Sequence, residues 1–139
     1  MRKTTHAPGT IHRLTIQSKA LANNRLGDDT TRIVDVYVPA GHDGKDLPLL
    51  VDLVGYMAGG PAHTAWKAFT ENVPERLDRL IGEGKMAPVV VAFPDCFTRL
   101  GGNQYVNSPV MGNWEDFLIE EMLPTVEKKF ACGGTGRRG

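Results

Sequence analysis

Two short runs of apolar residues constrain this sequence more than any other feature. One is LPLLVDLVG, from Leu47 to Gly55, and the other is PVVVAFPD, from Pro88 to Asp95. Runs that are this continuous are typical of strands covered on both faces, as in parallel sheets. The sequence therefore predicts two neighbouring buried strands with helices packed against them.

Two further strands are predicted nearer the N-terminus. The segment from Thr10 to Leu21 alternates imperfectly between apolar and polar residues, which indicates a half-exposed strand. The segment from Thr31 to Pro39 has the same character, and a polar, Gly-containing turn separates the two. We therefore expect these two strands to pair antiparallel.

Two helices are predicted as well. The first begins at Glu71 or Asn72, has Pro74 in its first turn and ends just before Gly84. The second spans Asn113 to Phe130, where apolar residues recur at helical spacing.

Pro124 interrupts the second predicted helix. A proline inside a helix costs about 3 kcal/mol or more, because a hydrogen bond is lost and its ring meets the preceding turn. The sequence therefore predicts either a bend at Pro124 or two shorter helices that meet at Leu123.

The predicted order of elements is strand, strand, strand, helix, strand, helix. Two antiparallel strands followed by βαβα indicate the α/β class, with three layers, α/β/α. The 139 residues suffice for one domain. Sixteen basic residues balance sixteen acidic ones, so nucleic acid is not expected as a partner. No run approaches the roughly 20 apolar residues of a membrane-spanning helix, so no membrane partner is expected either.

Cysteines and histidines give no pattern typical of a metal or cofactor site. Cys96 and Cys132 are too few for a disulfide framework or a zinc site, although one disulfide between them stays open. Two thiols and an N-terminus without an apolar signal segment predict a cytoplasmic protein. The four histidines lack paired metal spacing; for His63 a pocket role is open, but packing is favoured.

No nucleophile–base–acid set can be assembled from the sequence. Neither Ser18 nor Ser108 lies in a G-x-S-x-G turn. Gly134 to Gly139 spells G-x-G-x-x-G, but a dinucleotide loop follows a strand and opens a helix, whereas this one follows a helix. A helix end and loop is the expected structure there, and nucleotide binding is a remote hypothesis.

Three stretches together resemble a known family. They are VDLVGYMAGGPAHTAW, ERLDRLIGEGKMAPVVVAFPD and GGNQYVNSPVMGNWEDFLIEEMLPTVEKKF, which cover most of the chain from about Thr31 onward. They are similar to the esterase D-like and enterochelin esterase-like family of α/β-hydrolases. The resemblance implies a partial α/β-hydrolase sheet, with residues 1–139 as the N-terminal half of one domain. It also implies that the catalytic Ser, Asp and His lie beyond the nucleophile strand, outside these residues.

The resemblance also implies a set of site residues. The loop after the third strand would supply half of an oxyanion hole, through the backbone N–H of Tyr56 with Gly55 allowing a sharp turn; a plain glycine turn is the alternative. Polar or aromatic side chains that would line the substrate cleft are Trp66, Gln104, Tyr105 and Asn107.

The implied function is that of a carboxylic-ester hydrolase of the serine type that needs no cofactor and acts on a small-molecule ester. This chain alone is expected to be inactive, and its third strand is expected to form a bare apolar edge that promotes homo-oligomers or another association. The alternative is a non-catalytic α/β module that oligomerises or binds a small ligand beside Tyr56.

Overall fold

A computed structural model describes residues 5 to 135, which form a four-stranded sheet with helices on both faces. The strands are β1 (Thr10–Gln17), β2 (Thr31–Val38), β3 (Leu49–Val51) and β4 (Val90–Pro94), and β5 (Asn107–Ser108) and β6 (Gly112–Asn113) form a small separate hairpin. The helices are α1 (Pro61–Thr64), α2 (Val73–Gly82), α3 (Trp114–Asp116) and α4 (Leu123–Phe130), with a π-helical segment (Phe117–Met122) between the last two.

The strand order is β1-β2-β4-β3. β1 pairs antiparallel with β2 over their full lengths, from Thr10 opposite Val38 to Gln17 opposite Thr31. β4 pairs antiparallel with β2 and parallel with β3. The predicted antiparallel pair at the N-terminus and the parallel pair that follows it are both confirmed.

Two apolar cores lie on opposite faces of the sheet. On one face, alternate residues of β2 and β4 pack against the α3–α4 helical stretch, where Trp114, Phe117 and Met122 are fully buried. On the other face, the intervening strand residues pack against α2 through Leu77. The predicted three-layer α/β/α architecture is therefore confirmed.

The predicted burial on both faces is right for β4 and wrong for β3. All residues of β4 are buried. Within residues 5–135, by contrast, β3 pairs only with β4, and its ladder is shorter than the predicted Leu47–Gly55. Leu50 lies on the α2 face opposite Val91, yet 49% of it is exposed, because no strand continues the sheet beside it. β3 is thus, like β1, an edge strand of the described sheet, as the resemblance implies for the third strand.

The predicted first strand is also shorter than expected, since β1 ends at Gln17 rather than at Leu21. The carboxylate of Glu121 accepts hydrogen bonds from the backbone N–H groups of Lys19 and Ala20 and from the hydroxyl of Ser18. The side chain of Glu121, more than 100 residues away in sequence, therefore holds the chain where it leaves the sheet. No local sequence pattern signals this contact.

Asn72 caps α2 as the sequence predicts. Its side chain accepts from the N–H of Glu75, while the Glu75 carboxylate accepts from the N–H of Asn72, which together form a capping box. Pro74 lies in the first turn, and Gly84 follows the helix with a φ of +69°. Both ends of the predicted helix are confirmed.

Pro124 is accommodated by a change of hydrogen bonding rather than by a break. The N–H of Leu123 donates to the carbonyl of Leu118, five residues earlier, and the backbone stays helical through Leu123. The hydroxyl of Thr125 donates to the carbonyl of Glu121 at 2.6 Å. π-Helical segments inside α-helices are frequent near functional sites and kinks. The predicted disturbance at Pro124 is therefore a widened turn in one continuous helical stretch.

The helical stretch ends at Ala131, which adopts a left-handed conformation with φ +50°. Gly133 and Gly134 follow with positive φ, as is common after a helix end. The predicted helix end is confirmed, whereas most of the G-x-G-x-x-G stretch lies outside the described residues.

We predict that Asn72→Ala lowers the free energy of unfolding by about 1 kcal/mol, because the capping box is lost. The measurement is chemical denaturation followed by circular dichroism. Asn113→Ala is the matched control, since Asn113 precedes α3 without a side-chain cap and its removal should change the free energy by less than about 0.5 kcal/mol. Equal losses in both variants would contradict the assignment.

Candidate active site at the carboxyl end of the parallel strands

The loop that follows β3 lies at the carboxyl end of the parallel strands, which is where ligands bind in α/β proteins. β3 and β4 are parallel, so their carboxyl ends meet at this edge. The N–H of Asp52 donates to the carbonyl of Ala92 at 2.9 Å, which ties the start of the loop to β4. A tight turn follows, in which the N–H of Ala58 donates to the carbonyl of Gly55 at 3.0 Å.

Three glycines let this loop lie directly against its neighbours. A Cβ placed on Gly60 would come within 2.6 Å of the carbonyl oxygen of Pro94, and one on Gly59 within 2.7 Å of Asp95 Oδ1. A Cβ on Gly102 would overlap the carbonyl oxygen of Tyr56. The loop after β3 is therefore clamped between the end of β4 and the Gly101–Gly102 segment, with no room for side chains at the contacts.

The predicted reason for a glycine at position 55 is wrong. The φ of Gly55 lies outside the left-handed region, and a Cβ added there would meet no atom within 4 Å. The turn itself therefore does not require glycine. The space beside Gly55 is open, and the steric requirement for glycine falls on Gly102, on the opposing segment.

Tyr56 has a fixed side chain and an available backbone donor. Its hydroxyl donates to the carbonyl of Leu100 at 3.3 Å. No residue between 5 and 135 accepts a hydrogen bond from its backbone N–H. The clamp by Gly102 fixes the peptide plane on the carbonyl side of Tyr56.

Tyr105 supports this loop from below. Its hydroxyl donates to the carbonyl of Val54, the residue before Gly55. Its backbone has φ +59°, and its N–H donates to Asn103 Oδ1 at 2.7 Å. Burial raises the pKa of Tyr105 above its usual range, and the charges of Cys96 and Asp52 raise it further. The tyrosine thus acts as a neutral donor that holds the loop.

The other predicted cleft residues form no hydrogen bond with Tyr56 within residues 5–135. Asn107 exchanges two hydrogen bonds with Asp116, donating to its carboxylate at 2.8 Å and accepting from its N–H at 3.1 Å. Gln104 is exposed next to Tyr105, and Trp66 is 78% exposed in the segment between α1 and α2. Of the predicted set, only Tyr105 is joined by hydrogen bonding to the loop that carries Gly55 and Tyr56.

Arg32 positions the loop that follows β4, and the sequence analysis missed it. Its guanidinium donates to the carbonyls of Asp95 and Phe97 at 2.8 to 3.1 Å and lies over the ring of Trp114, 5.1 Å from its centre. An arginine in an alternating strand is ordinarily a solvent-facing residue. Nothing in its local sequence signals that it satisfies two carbonyls of a distant loop.

A contact between a histidine and an aspartate at this end of the sheet was also not predicted from the sequence. His63 Nδ1 lies 2.6 Å from Asp52 Oδ2 and joins α1 to the residue that follows β3. An aspartate that ends an apolar strand is a signal that could have directed attention to it, because strand ends in this class carry functional side chains.

Cys96 is a packing residue. It is buried beside β4, and burial raises its pKa to about 12, while Arg32 lowers it and Asp95 raises it by smaller amounts. A thiol in this state is a poor nucleophile. No disulfide joins it to Cys132, which is also buried.

Residues 5–135 show neither a metal-binding group of side chains nor a membrane-spanning helix. They contain no group of three or more His, Cys, Asp or Glu side chains placed to hold a metal ion. None of their helices is long and apolar enough to cross a membrane.

Solved structures similar to this one are esterases. A ferulic acid esterase matches 89% of this chain with a TM-score of 0.71 and 24% identity. A ferulic acid esterase from Anaeromyces mucronatus, solved with ferulic acid, matches 94% with a TM-score of 0.64 and 19% identity. An S-formylglutathione hydrolase from Agrobacterium tumefaciens matches 88% with a TM-score of 0.53 and 17% identity.

The chain has an α/β-hydrolase fold. It spans less than half of each of these solved chains, between 44% and 46% of their lengths. The sequence matches no protein-family model and no curated protein at significant similarity. The predicted resemblance to esterase D-like α/β-hydrolases is therefore confirmed at the level of the fold.

We predict that Gly102→Ala destabilises this fold by about 1 to 3 kcal/mol, because its Cβ forces the Tyr56 peptide to move. Gly55→Ala should change the free energy of unfolding by less than about 0.5 kcal/mol, since its Cβ points into open space. Urea denaturation of both variants beside the parent chain measures this. A larger loss in Gly55→Ala than in Gly102→Ala would refute the described loop packing.

Proposed function

We propose that this chain is the N-terminal half of a serine-type carboxylic-ester hydrolase and supplies one half of its oxyanion hole. The observation that carries the proposal is the loop after β3, where the Tyr56 N–H has no acceptor within residues 5–135. That loop lies at the carboxyl end of a sheet whose solved structural neighbours are esterases.

An oxyanion donor needs to be aimed before the reaction begins, because reorientation during the reaction would cost free energy. The carbonyl side of Tyr56 is held by close contact with Gly102, and the preceding carbonyl of Val54 accepts from Tyr105. Gly55 leaves the adjoining space open. A donor of this kind is worth about 3 kcal/mol of transition-state stabilisation once a nucleophile creates the negative charge.

The proposed substrate is a small-molecule ester. Neighbours of this fold include enzymes described as ferulic acid esterases and as an S-formylglutathione hydrolase, so the acyl group is not assigned. Trp66, Gln104 and Asn107 stay proposed cleft residues, on the basis of the resemblance to esterases. The mechanism needs no cofactor, and a cytoplasmic location stays a prediction.

The nucleophile, acid and histidine of the triad are proposed to belong to the second half of the domain. The described chain spans less than half of its neighbours, and β3 is an edge strand with Leu50 and Leu53 both more than 40% exposed. A further strand of the same domain would pair with β3 and cover these side chains. We therefore propose that strand as the occupant of the β3 edge.

We predict that a protein continuing this sequence into a G-x-S-x-G turn, within about ten residues after Gly139, hydrolyses 4-nitrophenyl acetate. In that protein Tyr56→Pro should lower kcat by a factor of about 100 to 1,000, because proline has no N–H to donate. Release of 4-nitrophenolate measures the rate.

Tyr56→Phe is the matched control for this experiment. It keeps the backbone N–H and removes only the hydroxyl that donates to Leu100, so it should retain kcat within about threefold. Circular dichroism checks that both variants are folded. Equal activity of Tyr56→Pro and Tyr56→Phe would exclude the Tyr56 N–H as the oxyanion donor.

The alternative function is a non-catalytic α/β module that associates through β3. The observation in its favour is the exposed edge of β3. We predict that residues 1–139 alone elute as dimers or larger species, because a bare apolar edge promotes pairing. Leu50→Lys should shift the population toward monomer, whereas Ile119→Lys, at an exposed site on the helical face, should not. Light scattering after size-exclusion chromatography measures the mass; a monomeric parent chain contradicts the prediction.

A further inference from the structure

The Asp52–His63 pair is preformed by backbone contacts on both of its sides. Asp52 directly follows β3, and its N–H is bonded to Ala92 of β4. His63 lies in α1, whose first residues are fixed because Gly60 packs against the carbonyls of Phe93 and Pro94. The two side chains thus meet at 2.6 Å between elements that are both anchored to the end of β4.

The geometry of the pair determines which ring nitrogen is left for another group. In its neutral form, an imidazole that donates Nδ1–H to a carboxylate carries its lone pair on Nε2. The side chain of His63 is 36% exposed, and its ring makes no second hydrogen bond within the described part of the chain. The pair therefore presents an oriented proton acceptor to solvent.

We propose that His63, held by Asp52, is a binding site for a hydroxyl-bearing ligand, whose O–H donates to Nε2. Asp52 lies three residues before Gly55 in sequence, so the site is at the same end of the sheet as the loop proposed to carry the oxyanion donor. Binding of the hydroxyl requires no bond to be made or broken, so it is independent of the proposed esterase function.

Charge and composition favour a neutral hydroxyl over other ligands. The carboxylate of Asp52 gives the pair a negative charge when the imidazole is neutral, which disfavours carboxylates and phosphates. A metal ion would need further protein ligands, and the described residues offer no group of three. An alcohol or phenol needs only the one acceptor that Nε2 provides.

Tyr105 lies near the same loop as the Asp52–His63 pair. The charge of Asp52 acts on the Tyr105 hydroxyl, which is bonded to the carbonyl of Val54. The pair and the tyrosine therefore flank the same short segment, residues 52–54.

The test is a nitrogen-15 NMR titration of the chain with phenol, and with anisole as the probe that has the ring but no O–H. The titration is run at about pH 8, above the ordinary pKa of imidazole. We expect the free protein to show His63 protonated on Nδ1 alone. Phenol should shift the His63 Nε2 signal upfield, whereas anisole should leave it unchanged.

Three variants complete the experiment. His63→Gln should abolish the saturable binding of phenol, and Asp52→Asn should weaken it at least fivefold and remove the preference for the Nδ1–H tautomer. His42→Gln is the matched control, since His42 lies on the exposed loop between β2 and β3 and should bind phenol like the parent. If Asp52→Asn does not fold, the proposal is tested by the His63 tautomer in the parent chain and by the comparison of phenol with anisole.

Several results would overturn the proposal. They are an Nε2–H tautomer in the free protein, equal shifts with phenol and anisole, or unchanged phenol affinity in a folded Asp52→Asn variant. A phenol response that disappears on adding EDTA would assign the site to a metal ion instead. Because no ester is hydrolysed in these measurements, their failure leaves the proposed esterase function standing, and loss of esterase activity leaves this binding site standing.

Discussion

Burial of β4 on both faces is the constraint on which the rest of the structure depends. Its residues belong alternately to the core under α2 and to the core under the α3–α4 stretch. Each large apolar side chain buried in this way contributes about 1.5 to 3 kcal/mol. Because both helical layers cover β4, the position of its carboxyl end is fixed, and the candidate site is built on that end.

The site is made by backbones packed against backbones rather than by a cluster of charged side chains. Gly60 lies against the last carbonyls of β4, and Gly102 lies against the carbonyl of Tyr56. Arg32 and Tyr105 satisfy carbonyls on either side of this contact, so two loops without regular structure are held in one conformation. Fixed peptide dipoles of this kind suit a role in which the protein stabilises charge without moving.

Asp52 and His63 add a second element to the same edge of the sheet. Their pairing resembles the orienting half of a hydrolase triad in its contact between Nδ1 and a carboxylate, but neither serine of the chain lies beside it: Ser18 bonds Glu121, and Ser108 lies in the β5–β6 hairpin. We therefore assign it a binding role, separate from the triad proposed for the second half of the domain. The exposed β3 edge, next to Asp52, is where that half would join.

The sequence by itself determined the class and the layers of this protein. The apolar runs predicted the parallel strands, and Asn72 with Pro74 and Gly84 predicted both ends of α2, because these signals act between residues close in sequence. The resemblance to esterases correctly indicated the α/β-hydrolase fold. It also pointed to the loop at Tyr56, whose role stays a prediction.

Only the tertiary structure decided which glycines carry the close contacts and which polar side chains meet. The apolar run of β3 predicted cover on both faces and Gly55 was expected to be required at the turn, whereas the roles of Arg32 and of the contact between Asp52 and His63 were not predicted. Each of these depends on a partner far along the chain, such as Ala92 for Asp52 or Tyr56 for Gly102. Local patterns report how a residue fits its own strand or helix, whereas a site at a sheet edge arises from segments that become neighbours only after the sheet has formed.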